Sequence, residues 1–276
     1  GLPICFSLIL EAALSSSDRF VIAYLLTDAD VGRYSAGYGL ANRAIDVLFI
    51  WIGLAVTPHL VRTLEGSGLA ECLKELKSYG AILLLVTMPA AAGLGLVAQP
   101  VSLLLGPDVR EVGGKIIPWI VGAGVINGMI SYYIQRAFML GGKTMMLPIA
   151  MISPMVLNLA LNFILLPRFG VMGAVYSTLI SYGFGVVIAF LMARRYFPLP
   201  VPWEAFLKCS LACAAMAAGV LALPLSDSLN PVLEVMIKGG VGATIYCIIV
   251  YLTNAADCRD MVRDLMSRFS RKTAEA

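Results

Sequence analysis

Six side chains set the chemistry open to this sequence: Glu11, Asp18, Arg19, Arg43, Asp46 and Arg136, all ionisable and all inside otherwise apolar runs. An ionisable group at membrane depth is costly, so it faces a bundle interior or a watery cavity and marks a path for an ion or a polar cargo. Glu11, Ser15 and Asp18 stand at i, i+4 and i+7, which puts two carboxylates and a hydroxyl on one helical face, with Arg19 adjoining. Carboxylates beside a cavity could bind a proton or a sodium ion, and an arginine offers a planar fork that fits a phosphate. The alternative is an internal salt bridge that only fixes helix packing.

Tyr38, Asn42 and Asp46 follow at i, i+4 and i+8, with Arg43 three residues before Asp46. Either Asn42 or Arg43 can reach Asp46 on one face, and spacing does not say which does. Asn127, Ser131 and Gln135 form a later stripe, with Tyr132 and Arg136 on the next. Arg136 can line a cavity or snorkel to the headgroups. Asn158 and Asn162, four apart, can hydrogen-bond to a neighbouring helix or to a substrate. The expected substrate-binding set is Arg19, Arg43, Arg136, Asn158 and Asn162; the expected ion-coupling set is Asp18, Glu11 and Asp46.

Such residues need a membrane scaffold, and the composition supplies one. At 276 residues, 59% hydrophobic and 13% charged, the chain is too apolar for a soluble domain. Apolar runs of roughly 20 residues predict an all-α polytopic membrane protein. Eight are legible: 2–26, 32–60, 79–105, 116–140, 145–166, 171–193, 206–225 and 233–252. If the loops alternate, one side holds Arg62, Lys74, Lys77, Lys143, Arg194, Arg195, Lys208 and the basic tail, and the other only Arg33, Arg110, Lys115, Arg168 and Lys238. The positive-inside rule makes the richer side, and with it both ends of the chain, cytoplasmic. Residues 65–78 and the tail 253–276 show one apolar face among charges and read as amphipathic helices on that surface. The chain begins at Gly1 almost at the edge of a helix, without a basic leader, so residues upstream are expected.

The remaining features exclude chemistry. Six cysteines lie mostly within apolar runs and make no CxxC pair, and His59 is the only histidine, so no metal centre or histidine triad is predicted. No glycine-rich phosphate loop appears, so no ATPase activity and no cofactor are expected. A net charge of +3, scattered over loops, gives no nucleic-acid footprint.

Two stretches resemble a known family. SSSDRFVIAYLLTDADVGRYSAGYGLANR (residues 15–43) looks like the start of the second half of the polysaccharide-biosynthesis flippases, and NLALNFILLPRFGVMGAVYSTLISY (158–182) looks like their asparagine-rich helix, Pro-Arg-aromatic-Gly turn and following helix. These flippases belong to the multidrug/oligosaccharidyl-lipid/polysaccharide exporters, built from two six-helix lobes around a central cavity. The resemblance implies that residues 1–193 form the second, six-helix lobe, that 194–252 add two appended helices, and that 253–276 form a cytoplasmic tail. It also implies a transporter, not an enzyme, that flips undecaprenyl-pyrophosphate-linked oligosaccharide across a bacterial inner membrane by alternating access. Membrane lipids and a polysaccharide polymerase with its export machinery would be its partners. Asp18 and Arg19 match the family's Asp-Arg pair, Gly32 and Tyr34 its helix-opening residues, and Asn158, Asn162, Pro167 and Arg168 the later motif. A MATE-type ion-coupled antiporter, or a membrane glycan transferase, would be the alternatives.

Overall fold

Why the apolar runs become helices is plainest at their ends. Thr27 accepts a hydrogen bond on Oγ1 from the Asp30 N–H at 3.2 Å, while its own N–H donates to Asp30 Oδ2 at 3.3 Å, a reciprocal cap that starts α2 (Asp28–Gly66). Asn230 accepts from the Val232 N–H at 2.9 Å ahead of Pro231, which starts α10 (Pro231–Thr253). In the computed structural model, which describes residues 2–224, 230–260 and 263, every regular element among the described residues is helical. The others are α1 (Leu2–Leu25), α3 (Leu69–Leu96), α4 (Ala98–Leu104), α5 (Pro107–Gly128), α6 (Gln135–Leu140), α7 (Met146–Phe169), α8 (Val171–Arg194) and α9 (Trp203–Leu221). A π-helical segment, Met129–Ile134, joins α5 to α6.

The expectation of an all-α protein with many membrane passes is borne out. Seven helical stretches among the described residues are long and apolar enough to cross a bilayer: α2, α3, the α5 to α6 rod, α7, α8, α9 and α10. The remaining long helix, α1, has the 24-residue length of α7 and α8 and carries Glu11, Asp18 and Arg19. Seven of the eight predicted spans thus fall mainly on one long helical rod, and the third, 79–105, runs from α3 across a break at Val97 into α4.

Two sequence expectations change. At about 1.5 Å per residue, the 39 residues of α2 reach roughly twice the ~30 Å hydrocarbon thickness. Its last turns extend past the apolar core, and residues 69–78 are not a separate surface helix but the first turns of α3, packed on those last turns. The reason is a partner for the apolar face: Cys72 and Leu76 are buried, and the Cys72 thiol donates to the Leu60 carbonyl at 3.7 Å. The tail residues expected to carry the second amphipathic face, Met261, Val262, Leu265, Met266 and Phe269, lie outside the described residues.

Helices α1 to α8 share one large core, centred on Tyr34, Ile45, Phe49, Leu83, Ile117 and Phe138. Helices α9 and α10 pack on each other and on one edge of α3, with a smaller core of Cys209, Ala212, Met216, Tyr246 and Val250. Lys74 and Lys77 of α3, Glu204 of α9 and Asp257, in the short 3-10 turn after α10, line one pocket, so these predicted same-side segments meet at one end of the bundle. Helices α7 and α8 form a hairpin whose reversal rests on Gly170, at φ +58°, a left-handed conformation that a side chain resists.

Packing is tightest where the π segment begins. A Cβ on Gly128 would collide with the ring of Phe49, itself fully buried between α2 and α5 and stacked on Tyr132 at 5.6 Å. Gly128→Ala is therefore expected to cost about 1–3 kcal/mol by overpacking, read as a lower thermal unfolding midpoint in detergent. An unchanged midpoint would mean that the Phe49 ring has room to move.

Candidate functional site

Asp18 sits in the middle of α1, whose flank packs against α7 and α2. It is 1% exposed. Three neutral donors from three other helices converge on its carboxylate. The Tyr34 hydroxyl of α2 donates to Oδ2 at 2.8 Å, the Thr178 hydroxyl of α8 lies 2.8 Å from the same oxygen, and the Asn162 amide of α7 donates to Oδ1 at 2.6 Å. Around this centre, Asn162 also donates to Asn158 Oδ1 at 3.1 Å, Ser17 donates to Asn158 Oδ1 at 2.8 Å, and Ser177 donates to Asn162 Oδ1 at 2.6 Å. The result is a network of hydroxyl and amide groups from four helices around one carboxylate. Among the described residues no cationic side chain forms an ion pair with it.

Glu11, on the same face of α1, turns to different partners. Its Oε1 accepts from Ser131 of the π segment at 2.7 Å and from Asn127 of α5 at 3.3 Å. Helical spacing put Glu11 and Asp18 together, but α1 crosses its neighbours, so one carboxylate meets α5 and the other meets α2, α7 and α8; they do not pair. Ser15 is outside the described side chains. Asp46 accepts from Asn42 at 2.7 Å, which decides the contact that spacing left open.

The arginines are left over. Arg43 is exposed, Arg19 lies over the Tyr38 ring with 5.4 Å between guanidinium carbon and centroid, and Arg136 reaches the Met139 sulfur at 3.3 Å. The Nε atoms of Arg19 and Arg136 are buried without a hydrogen-bond partner. None of the three forms an ion pair among the described residues; the pairs that do form are of other residues, such as Lys115 with Glu111 and Lys208 with Glu204. Three carboxylates held by neutral donors, and three guanidinium groups with no carboxylate partner among the described residues, therefore stand in one bundle. An internal salt bridge among these six is not what the helices build.

Of the predicted substrate-binding residues, Arg19, Arg43 and Arg136 keep unpaired guanidinium groups. Asn158 and Asn162 are 1% and 0% exposed and spend their amide oxygens on helix partners, so in this conformation they support Asp18 from within the bundle. Spacing alone missed Ser17, Ser177 and Thr178 as partners of this centre. The available signal was a pair of hydroxyls in the helix that follows the two asparagines. Among the described residues no cluster of three His, Cys, Asp or Glu side chains could hold a metal ion.

No protein-family profile matches the chain. Among curated proteins it is 23% identical over 262 residues to the probable flippase AglR of Haloferax volcanii, covering 91% of this chain and 52% of that protein. Among solved structures it is similar to the lipid II flippase MurJ in an inward closed conformation, with a TM-score of 0.75 and 17% identity, covering 93% of this chain and 53% of that one. The chain thus spans about half the length of each. The likeness to MurJ shows the fold, that of a polytopic helical membrane protein, and both matched proteins are flippases by name, which bears out the resemblance to flippases read from residues 15–43 and 158–182.

Proposed function

We propose that this chain forms one lobe of an alternating-access flippase for a polyprenyl-pyrophosphate-linked oligosaccharide, undecaprenyl-linked in a bacterial inner membrane. The observation that carries this reading is the separation of the six intramembrane charges. An unpaired guanidinium at membrane depth is costly unless a ligand meets it, and a pyrophosphate offers the bidentate oxygens that fit it. Arg19, Arg43 and Arg136 capture the diphosphate from the basic, cytoplasmic side, the sugars cross in a hydrated cavity, and the hydrocarbon tail stays in the bilayer. Helices α1 to α8 are the moving lobe, and α9 with α10 are appended to it. The opposite wall of the cavity comes from the other half of a two-lobe transporter.

Asp18 is the coupling site. A carboxylate buried among two hydroxyls and an amide N–H, with no ion-pair partner among the described residues, has its charge met either by a proton or by a small hard cation, which the hydroxyl and nearby amide oxygens could ligate once they regroup. Uptake of that ion would let Tyr34, Asn162 and Thr178 regroup around it and draw α2, α7 and α8 relative to α1. Glu11 and Asp46, held by Ser131, Asn127 and Asn42, line the cavity beside the arginines.

Lipid extraction from cells lacking the gene tests this directly. Lipid-linked oligosaccharide is expected to accumulate on the cytoplasmic leaflet while surface glycan disappears, with both restored by the gene. Unchanged lipid-linked sugar and unchanged surface glycan would refute the flippase reading.

A further inference from the structure

Between α3, α5, the π segment, α8 and the start of α9 lies an open apolar groove of about 400 Å³. This is within the ~300–1,000 Å³ of ordinary ligand pockets. Met129, Tyr133, Val187, Phe190, Leu191 and Trp203 are among its lining residues, and almost no polar surface is exposed in it. Its wall is pinned: the Tyr133 hydroxyl donates to the Pro200 carbonyl at 2.5 Å, which ties the π segment to the α8–α9 link.

The mouth is chemically different. Val187, Phe190, Leu191 and Arg194 stand at i, i+3, i+4 and i+7 on one stripe of α8, and the Arg194 guanidinium lies 5.4 Å from the centroid of the Phe190 ring. Arg194 and its neighbour Arg195 are exposed and form no ion pair among the described residues. Trp203, largely exposed, stands at the start of α9 on the same rim, where an amphipathic ring suits the headgroup level. A hydrocarbon slot, a tryptophan and two uncompensated cations in that order match one occupant.

We propose that this cavity is a binding site for an anionic phospholipid, with one hydrocarbon chain against Tyr133, Val187 and Phe190 and the phosphate on Arg194. The site is separate from the charged wall and does not rest on the flippase reading. Its occupant nevertheless touches Met129 and Tyr133 of the same π segment whose Ser131 holds Glu11 on the other side. A bound lipid therefore bears on the geometry of the transport wall through one turn of helix.

The test uses the full protein in nanodiscs of equal phosphatidylglycerol and phosphatidylcholine, with retained lipid counted by native mass spectrometry. The wild type is expected to retain phosphatidylglycerol over phosphatidylcholine by at least fivefold. Val187→Trp, which fills the slot from an exposed position, is expected to lose most retained lipid, and Arg194→Gln to lose the preference. A second reading is made on the unaltered slot: phosphatidylglycerol brominated along its chains should quench Trp203 fluorescence, with Trp203→Phe serving only to subtract the other tryptophans, more strongly than brominated phosphatidylcholine. Equal retention by Val187→Trp, an unchanged preference in Arg194→Gln, or equal quenching by the two lipids would overturn the proposal. Displacement of phosphatidylglycerol by equimolar undecaprenyl phosphate would overturn it too, by assigning the slot to an isoprenoid.

Discussion

Asp18→Ala is expected to destabilise the bundle by about 1–3 kcal/mol, because the buried Tyr34 hydroxyl loses its acceptor outright, while Asn162 keeps Asn158 Oδ1 and Thr178 keeps the Ala174 carbonyl. Tyr34, Asn162 and Thr178 arrive at that carboxylate from α2, α7 and α8, so the loss loosens three helix contacts together. Thermal unfolding in detergent micelles measures it, and a midpoint equal to the wild type would show that the network carries no stability. Asp18→Asn separates structure from coupling. Its amide keeps one acceptor for the Asn162 amide and presents its NH2 to hydroxyls, which can accept as well as donate. The fold is expected to persist, while ion-driven transport falls at least tenfold because the charge that a proton or cation would meet is gone. Normal transport by Asp18→Asn would remove Asp18 from the mechanism and leave it a helix tie.

Arg19→Gln and Arg43→Gln should each reduce transport by roughly 10–100-fold, the equivalent of the ~1.5–3 kcal/mol of a charge-assisted hydrogen bond. Neither residue has an ion pair among the described residues, and Arg19 gives up only its contact with the Tyr38 ring, so stability should fall by no more than about 1 kcal/mol. Arg19→Lys should recover part of the loss, since an ammonium keeps the charge but not the two-pronged geometry. Transport rates measured alongside unfolding midpoints separate the two effects. A drop in stability that matches the drop in transport would mean that these arginines hold the bundle and do not meet the cargo.

The helices were legible because each span advertises itself locally: a continuous apolar run has nowhere else to go, and Thr27-x-x-Asp30 and Asn230-Pro231 mark starts by their own chemistry. The end of α2 and the start of α3 were not, because a charged amphipathic stretch looks the same whether its apolar face meets a membrane surface or Leu60 of another helix. Asp18 was singled out by its depth and its place in the matched stretch. Its partners could not be, since Asn162 and Thr178 lie 144 and 160 residues away and only the tertiary packing of α1 on α7 and α8 brings them in. Periodicity also misled at one point: it put Glu11 and Asp18 on one face correctly, yet two turns along a crossing helix are enough to give them different neighbours. The π segment had no sequence signature, and it is the element that brings Ser131 to Glu11.

The central claim is that charges kept apart in this bundle serve a pyrophosphate cargo and a coupling ion. It is tested most directly by reconstituting the protein in vesicles with a fluorescent short-chain polyprenyl-pyrophosphate glycan and following leaflet exchange under imposed sodium or proton gradients. The expected result is exchange that one of the two gradients accelerates, that Asp18→Asn makes insensitive to that gradient, and that Arg19→Gln suppresses under any gradient. Exchange that is equally fast without a gradient and unaltered in both variants would contradict it.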